Sequence, residues 1–496
     1  MKVALVVPPL NFRSSEKELY DEYTLDGSLP PLGLMYIGAL LKENGYEVEL
    51  LDLSATIKSI SWFKDWLKKV SPDIVGFSII ADGVNNAMLL AEVTKEVLPE
   101  SLVIAGGISA TFVYNEILKT CKAFDLIARG EGEETMLRIL EAMEPDGIKE
   151  KLKQIPGISY RHNGKIRSNP DALPVRDLNS LPFPDRSLSR IQYSYQFGPT
   201  QMGSKKFTTI LTSRGCPYNC TFCACSAFTK QLYRERSPEN VLDEFEEIYS
   251  QGYKQALIAD DHFFLRPKRT LKILRGLRRR KIDMDLICES RVDYAKYDVL
   301  REATAAGVKT IFYGIESGSQ RILDYYQKGT TVDQSKIAVE KTRRAKMDMI
   351  IGSFMYGAPI ETEYEMKQTN RLMLGLDIDV AILNAVDILP GTKLWDDAKK
   401  DNLLPEDAWR RTLQASTIYS NAVPLQRVME IINAGYKMFI KRLSWAFNQI
   451  IRTIRSRWRL ELIYNNLRIN GIRRTMGIAS ELASSDRMYR YIHANE

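Results

Sequence analysis

The chain has 496 residues, of which 45% are hydrophobic and 26% charged, with 69 Lys and Arg against 62 Asp and Glu. This is the composition of an ordinary soluble globular protein, and it excludes a disordered, fibrous or small disulfide-stapled chain. A net charge of +7 is too mild at this length to argue for nucleic-acid binding, and roughly 100 to 200 residues per domain predicts two to four domains.

The first residues, Met1 to Pro9, hold too short an apolar run for a signal peptide, and no stretch reaches the roughly 18 apolar residues of a membrane span. A cytoplasmic location is expected. Up to about residue 145, short apolar runs at 3–7, 48–53, 73–79, 102–105 and 125–128 alternate with helical patterns at 34–43, 61–70, 86–98 and 133–143. Buried strands separated by helices predict a doubly wound, Rossmann-like parallel sheet. Its ligand belongs beyond the carboxyl ends of the strands, where Pro8-Pro9, Ser78, Gly106-Gly107 and Gly130-Glu131-Gly132 stand.

Residues 146–200 are interrupted by six prolines and read as a connector with one hairpin at Asn163-Gly164. A second alternating series fills 201–400, with strands expected at 207–212, 255–259, 284–289, 308–315, 349–356 and 380–389 and helices such as 238–251 and 267–280 between them. Six strand-helix units predict a partial (β/α)6 barrel with its active site at the strands' carboxyl ends. From 401 to 496 the patterns are helical. Nine basic residues and one acidic one, Glu461, lie between Lys441 and Arg474, together with Trp445, Phe447, Trp458 and Tyr464. That region reads as solvated helical faces, or as a surface for peripheral contact with an anionic membrane or an acidic protein.

Four of the six cysteines fall within ten residues, just after the first strand of the second series. In Ser213-Arg214-Gly215-Cys216-Pro217-Tyr218-Asn219-Cys220-Thr221-Phe222-Cys223 three stand at a CxxxCxxC spacing, which departs from paired zinc knuckles and from ferredoxin patterns. Three thiolates on a tight loop suit a 4Fe–4S cluster with one iron left open; the bland alternative is a set of buried free thiols. Cys225 reads as a bystander or an alternate ligand, and Cys121 and Cys288 as core residues.

This segment resembles the radical SAM superfamily, whose open iron binds S-adenosylmethionine (SAM). The resemblance extends over Asp260-Asp261-His262-Phe263, Glu289-Ser290-Arg291, Gly314-Ile315-Glu316-Ser317-Gly318, Gly357-Ala358-Pro359 and Pro390-Gly391-Thr392, each following a strand. It implies Cys216, Cys220 and Cys223 as cluster ligands and Phe222, Asp260, Arg291, Glu316 and Ser317 as SAM contacts. Arg291 would fork onto the SAM carboxylate and Glu316 would take the ribose hydroxyls or the ammonium; the alternative for both is a barrel-mouth ion pair. Asp260 and Asp261 would hold the ammonium or the substrate, and His262 reads equally as a packing residue or an acid.

The N-terminal series resembles the cobalamin-binding domain that precedes many radical SAM domains, through Pro30 to Leu34, Leu40 to Asp52, Asp73 to Ser78, Ile104 to Gly107 and Arg129 to Glu133. Pro9, Leu32, Ser78, Gly106, Gly107 and Glu131 are the implied contacts; another nucleotide-like ligand is the alternative. One departure stands out. The mutase-type Asp-x-His-x-x-Gly is replaced by Pro8-Pro9-Leu10-Asn11-Phe12-Arg13, and residues 1–145 contain no histidine. Cobalamin should therefore bind base-off, with no imidazole of this domain on cobalt.

Together the resemblances imply a B12-dependent radical SAM methyltransferase acting on an unactivated sp3 carbon, with methylcobalamin as carrier. They also imply a low-potential donor of ferredoxin or flavodoxin type and a protein or small-molecule substrate. Within the family, the glutamine C-methyltransferase of methyl-coenzyme M reductase matches in size and domain order. An oxidative cyclase of the Mg-protoporphyrin ester type, a lipid (hopanoid) C-methyltransferase and a non-enzymatic cobalamin and iron-sulfur redox sensor are the other readings.

Overall fold

The computed structural model describes residues 1–9, 18–19, 29–56, 58–80, 83–143, 151–197, 200–201 and 205–468. Residues 10–13 of the departing N-terminal motif and 469–474 of the basic stretch lie outside them.

The N-terminal half is built on β1 (Lys2–Val7), α1 (Leu32–Glu43), β2 (Glu47–Asp52), α2 (Ile60–Val70), β3 (Ile74–Ser78), α3 (Val84–Val97), β4 (Leu102–Gly106), β5 (Leu126–Ala128) and α4 (Glu133–Ala142). Strands β1, β3, β4 and β5 are buried nearly end to end, as helices on both faces require. The sheet runs β2-β1-β3-β4-β5 in parallel. Two apolar layers fill its faces, one around Phe63, Phe77, Leu90 and Phe124, the other around Leu5, Leu41, Ile104 and Leu140.

The sheet does not stop where the sequence suggested. Strands β6 (Ile158–His162) and β7 (Lys165–Ser168) add to it antiparallel, β6 pairing with β5. The domain boundary expected at about 145 is thus passed by a hairpin of the connector. Its turn, Asn163-Gly164, has φ of 51° and 73°, the left-handed pair that a two-residue hairpin needs. The prolines that argued against regular structure flank these strands and do not enter them.

The second half carries β8 (Phe207–Ile210), α5 (Pro238–Ser250), β9 (Gln255–Ile258), α6 (Pro267–Arg279), β10 (Asp285–Arg291), α7 (Tyr297–Ala305), β11 (Val308–Glu316), α8 (Val332–Arg344), β12 (Met349–Tyr356), α9 (Glu363–Gly375) and β13 (Val380–Ala385). The six strands are parallel and adjacent in chain order, an open partial barrel. The last strand ends earlier than expected, and Asp387–Ile388 pairs instead with Leu413–Gln414.

Helices start where sequence dictates. Ser237 caps α5 ahead of a proline at the first helical position, and Thr331 and Thr362 form capping boxes on α8 and α9. The barrel floor is plugged by Phe207, Leu257, Ile287 and Ile351. Met35 of α1, Tyr193 and Tyr195 of the connector, and Trp458 and Leu462 of the C-terminal region pack against them. Closing the floor leaves the mouth, at the carboxyl ends of the strands, for chemistry. Further helices follow, among them α10 (Leu425–Ile440) and α11 (Leu443–Arg455), and no helix among the described residues is long and apolar enough to cross a membrane.

Candidate functional site

The cysteine loop leaves β8 under tight backbone control. Gly215 has φ of 87°, and a Cβ there would run into the Leu232 carbonyl, so only glycine fits. Its N–H donates to Asp261 Oδ2 at 2.9 Å, and the Thr221 N–H donates to the Tyr326 carbonyl at 2.9 Å. Cys216, Cys220 and Cys223 are free and half-buried. Burial pushes the Cys216 thiol up to about 11, with neighbouring Asp261, Cys220 and Cys223 adding to the rise. Among the described residues no three His, Cys, Asp or Glu donors are grouped to hold a single metal ion, and three free, half-buried thiols on one tight loop are the donor set that a multi-iron cluster takes.

Around the loop stand the residues expected to meet SAM. Arg291 lies over the Tyr218 ring at 3.6 Å; its Nε and Nη2 donate to Asp293 at 3.0 and 3.1 Å, and Nη2 donates to the Lys328 carbonyl at 2.7 Å. Nη1 has no hydrogen-bond partner among the described residues and is the donor left for an anionic ligand. Glu316 sits at φ of 65° with Oε1 accepting from Lys328 Nζ at 2.7 Å, both side chains 8% exposed. Both residues are therefore in the barrel-mouth ion pairs that sequence alone offered as the alternative. Lys328, twelve residues on, carried no signal of its own. Phe222 packs edge-on to Tyr326 at 5.1 Å, beside the same lysine.

Two of the expected contacts have their side chains turned to the protein itself. Asp260 is 1% exposed, and its oxygens accept from the Thr212 N–H, the Thr212 hydroxyl and the Ser213 hydroxyl at 2.5, 2.5 and 2.6 Å. It anchors the start of the cysteine loop. Ser317 is fully buried, its hydroxyl meeting Thr369 and accepting from the Ser319 N–H, so it shapes the turn after β11.

His262 is also buried, edge-on to Tyr294 at 4.3 Å, and burial followed by the nearby Arg291 lowers it to about 4. It packs as a neutral ring. Glu289, two residues before Arg291 on β10, was not assigned a role from sequence. Its side chain stays exposed to solvent on an otherwise buried strand, and the protein packed around it, then Asp261 and Glu316, push its carboxyl up to about 6.

Where the two halves meet, a cleft of about 400 Å³ opens beside the loop. Leu32, Phe77, Ser78, Gly106, Gly107 and Glu131 line it from one side, and Arg214, Gly215, Cys225, Phe228 and Asp261 from the other. Among the described residues seven glycines line it and no histidine does. A Cβ on Gly33 or Gly130 would meet nothing within 4 Å, so both leave room that a broad, flat ligand can fill, and the apolar walls suit a corrin ring. Pro9 is the exception among the expected contacts. It is outside the lining, with its carbonyl accepting from Asn86 Nδ2 at 2.7 Å. His162 ends β6 at the far edge of the sheet and is not in the lining either. A larger recess of about 1010 Å³ lies between α1, the connector and the start of β8, away from the cysteines.

Glu131 does more than line the cleft. Arg234 donates to both its oxygens at 2.8 and 2.7 Å, Arg214 stands 3.4 Å away, and the Val175 N–H donates at 2.9 Å. Burial alone would raise this carboxyl, but the two guanidiniums carry it below the usual range. Arg214 also donates to Glu133 at 2.7 Å. The two domains are clasped by ion pairs at the rim of the cleft.

The Gly33 position permits a direct check. Leucine there should strengthen the first turn of α1, by about 1 kcal/mol of helix propensity, while its side chain enters the cleft. Gly33→Leu is expected to hold or slightly raise the thermal midpoint and to lose more than half of the cobalamin retained through gel filtration, read by absorbance.

The chain matches the radical SAM superfamily over residues 210–373 and the B12 binding domain over residues 23–140. It is 32% identical over 413 residues to an uncharacterized methyltransferase of Pyrococcus horikoshii, covering 83% of this chain and 86% of that protein. It is 29% identical over 408 residues to the anaerobic magnesium-protoporphyrin IX monomethyl ester cyclase of Cereibacter sphaeroides, covering 80% and 64%. The fold aligns with the cobalamin-dependent S-adenosylmethionine radical enzyme OxsB at a TM-score of 0.69 and 19% identity, over 99% of this chain and 76% of that one.

Proposed function

The chain belongs to the radical SAM proteins that carry a B12-binding domain, and as a radical SAM methyltransferase of that kind it acts, we propose, on an unactivated sp3 carbon. The observation that carries this reading is the wall shared by the two sites: Gly215 and Cys225 of the cysteine segment, and Asp261 after β9, which accepts a hydrogen bond from each of them, all line the glycine-rich cleft as well. When bound, the 4Fe–4S cluster with SAM supplies a radical that removes hydrogen, and cobalamin supplies the methyl group, which a C–H bond without useful acidity requires.

The residues of the chain do the placing. Cys216, Cys220 and Cys223 would hold the cluster, Arg291 Nη1 would take the SAM carboxylate, and Glu316, steadied by Lys328, would face the ribose or ammonium. Phe222, packed on the buried Tyr326, would cover the cysteine loop on that side. Residues 1–145 contain no histidine, so no imidazole of this domain would sit on cobalt, and base-off binding is part of the proposal. A ferredoxin- or flavodoxin-type donor is part of the proposal, because the cluster must be reduced from outside.

Anaerobic turnover with methyl-labelled SAM tests the reading, with peptide glutamine of methyl-coenzyme M reductase and lipid acceptors among the candidates. Methyl transfer through cobalamin consumes one SAM as radical source and one as methyl source. S-adenosylhomocysteine and 5′-deoxyadenosine should then form in comparable amounts, with label in the product. The similarity to the cyclase favours a second reading, oxidative ring closure. That reaction would give 5′-deoxyadenosine without matching S-adenosylhomocysteine, and its observation would replace the methyltransferase proposal.

A further inference from the structure

The last helices of the described chain are turned inside out. None of the thirteen residues of α11 is buried. Its inward face is polar: Trp445 Nε1 donates to the Asp379 carbonyl at 3.1 Å, Gln449 to Asp379 Oδ1 at 3.0 Å, and Arg452 to Asp377 at 2.5 Å. Its outward face is apolar, with Leu443, Phe447, Ile450 and Ile454 on one stripe at 87, 63, 59 and 70% exposure. The helical residues 457–468 continue the pattern. Trp458 and Leu462 reach the barrel floor and Arg459 pairs with Asp379 at 2.7 Å, while Leu460, Ile463, Tyr464 and Leu467 stay exposed. A surface helix ordinarily buries its apolar stripe and wets its polar face. Here the polar face is the anchored one.

We propose that this face docks the enzyme on an anionic lipid surface, as a peripheral interfacial helix. Charge complementarity selects that occupant. Of the seven basic residues in 441–468, Arg442, Arg452 and Arg459 are spent on the protein's own carbonyls and carboxylates. Lys441, Arg455, Arg457 and Arg468 are exposed beside the stripe, with Lys437 of α10 next to them. The single acid in that span, Glu461, accepts from Arg457 at 3.0 Å. An apolar stripe bordered by outward Lys and Arg partitions into a headgroup layer, and each outward charge adds attraction to anionic lipid. The following segment, 469–496, carries Arg473, Arg474, Arg487 and Arg490 against Glu481, Asp486 and Glu496, and a second copy would bring the same basic border, so neither supplies the excess of negative charge that this border calls for.

The test is sedimentation of the full-length protein with vesicles of phosphatidylcholine alone and of phosphatidylcholine mixed with phosphatidylglycerol. The mixed vesicles should bind it and the neutral ones should bind it weakly. Phe447→Ser with Ile454→Ser should weaken binding by about tenfold or more, and Arg455→Glu with Arg457→Glu should remove the preference for anionic lipid, with thermal midpoint and iron content unchanged. Absence of binding to the mixed vesicles, or binding that ignores both pairs of substitutions, overturns the proposal. A lipid-free dimer dispersed by the Phe447 and Ile454 pair, in a protein that ignores vesicles, would assign the face to self-association instead.

Discussion

Alanine at Cys216, Cys220 and Cys223 together should leave the reconstituted protein with no 4Fe–4S absorption and 5′-deoxyadenosine at background. The loop itself should survive the change, because its backbone is held by Asp261 on Gly215 and by the Tyr326 carbonyl on Thr221, groups other than the thiols. Circular dichroism matching the parent would show as much. Cys225→Ala serves as the contrast: its thiol donates to Asp261 Oδ1 at 2.7 Å and faces the cleft, so that variant should keep the cluster. A cluster that still assembled in the triple variant would sink the ligand assignment, and one lost with Cys225 would add a fourth candidate ligand.

The second large effect is expected at Glu131. Alanine there leaves Arg234 and Arg214, 6 and 13% exposed at their side chains, without the carboxylate between them. Breaking a buried pair by removing one partner costs about 3 to 5 kcal/mol, because a charge stays buried uncompensated. Arg214 keeps Glu133, so the lower end of that range is expected. Calorimetry of Glu131→Ala should show an earlier first transition, and limited proteolysis should show faster cutting in the connector. Were Glu131 a cofactor contact alone, cobalamin uptake would fall and the transition of the cofactor-free protein would stay where it is.

Much of this architecture is written in local pattern. Runs such as 3–7 and 102–105 are apolar on both faces, which only a sheet covered on both sides accommodates. Of the polar or glycine-rich elements used to locate the barrel mouth, 260–263 and 357–359 follow their strands, whereas 289–291 and 314–316 are the last residues of β10 and β11 themselves. What pattern cannot carry is pairing over distance. Glu131 meets Arg234 across 103 residues, and nothing near either position marks the other. Asp260 reads as a barrel-mouth carboxylate and is one, but its hydrogen bonds turn it down into the loop it supports. The helical period of 443–455 announces an amphipathic helix without saying which side looks inward. Asp379 settles that, a buried carboxylate held down to about 2 by Arg343 and Arg459 against the pull of burial.

The connector hairpin bears on how this protein can be taken apart. Strand β5 has only three residues and is covered on its outer edge by β6, while Leu152, Ile155, Ile158 and Tyr160 fill one of the two apolar layers. A fragment ending near residue 145 would carry a bare parallel edge and a layer with those four side chains missing. Such an edge templates pairing between chains. Expressed alone, that fragment should aggregate, whereas one extended through Ser168 should remain in solution and be the minimal unit for measuring cobalamin uptake apart from the barrel.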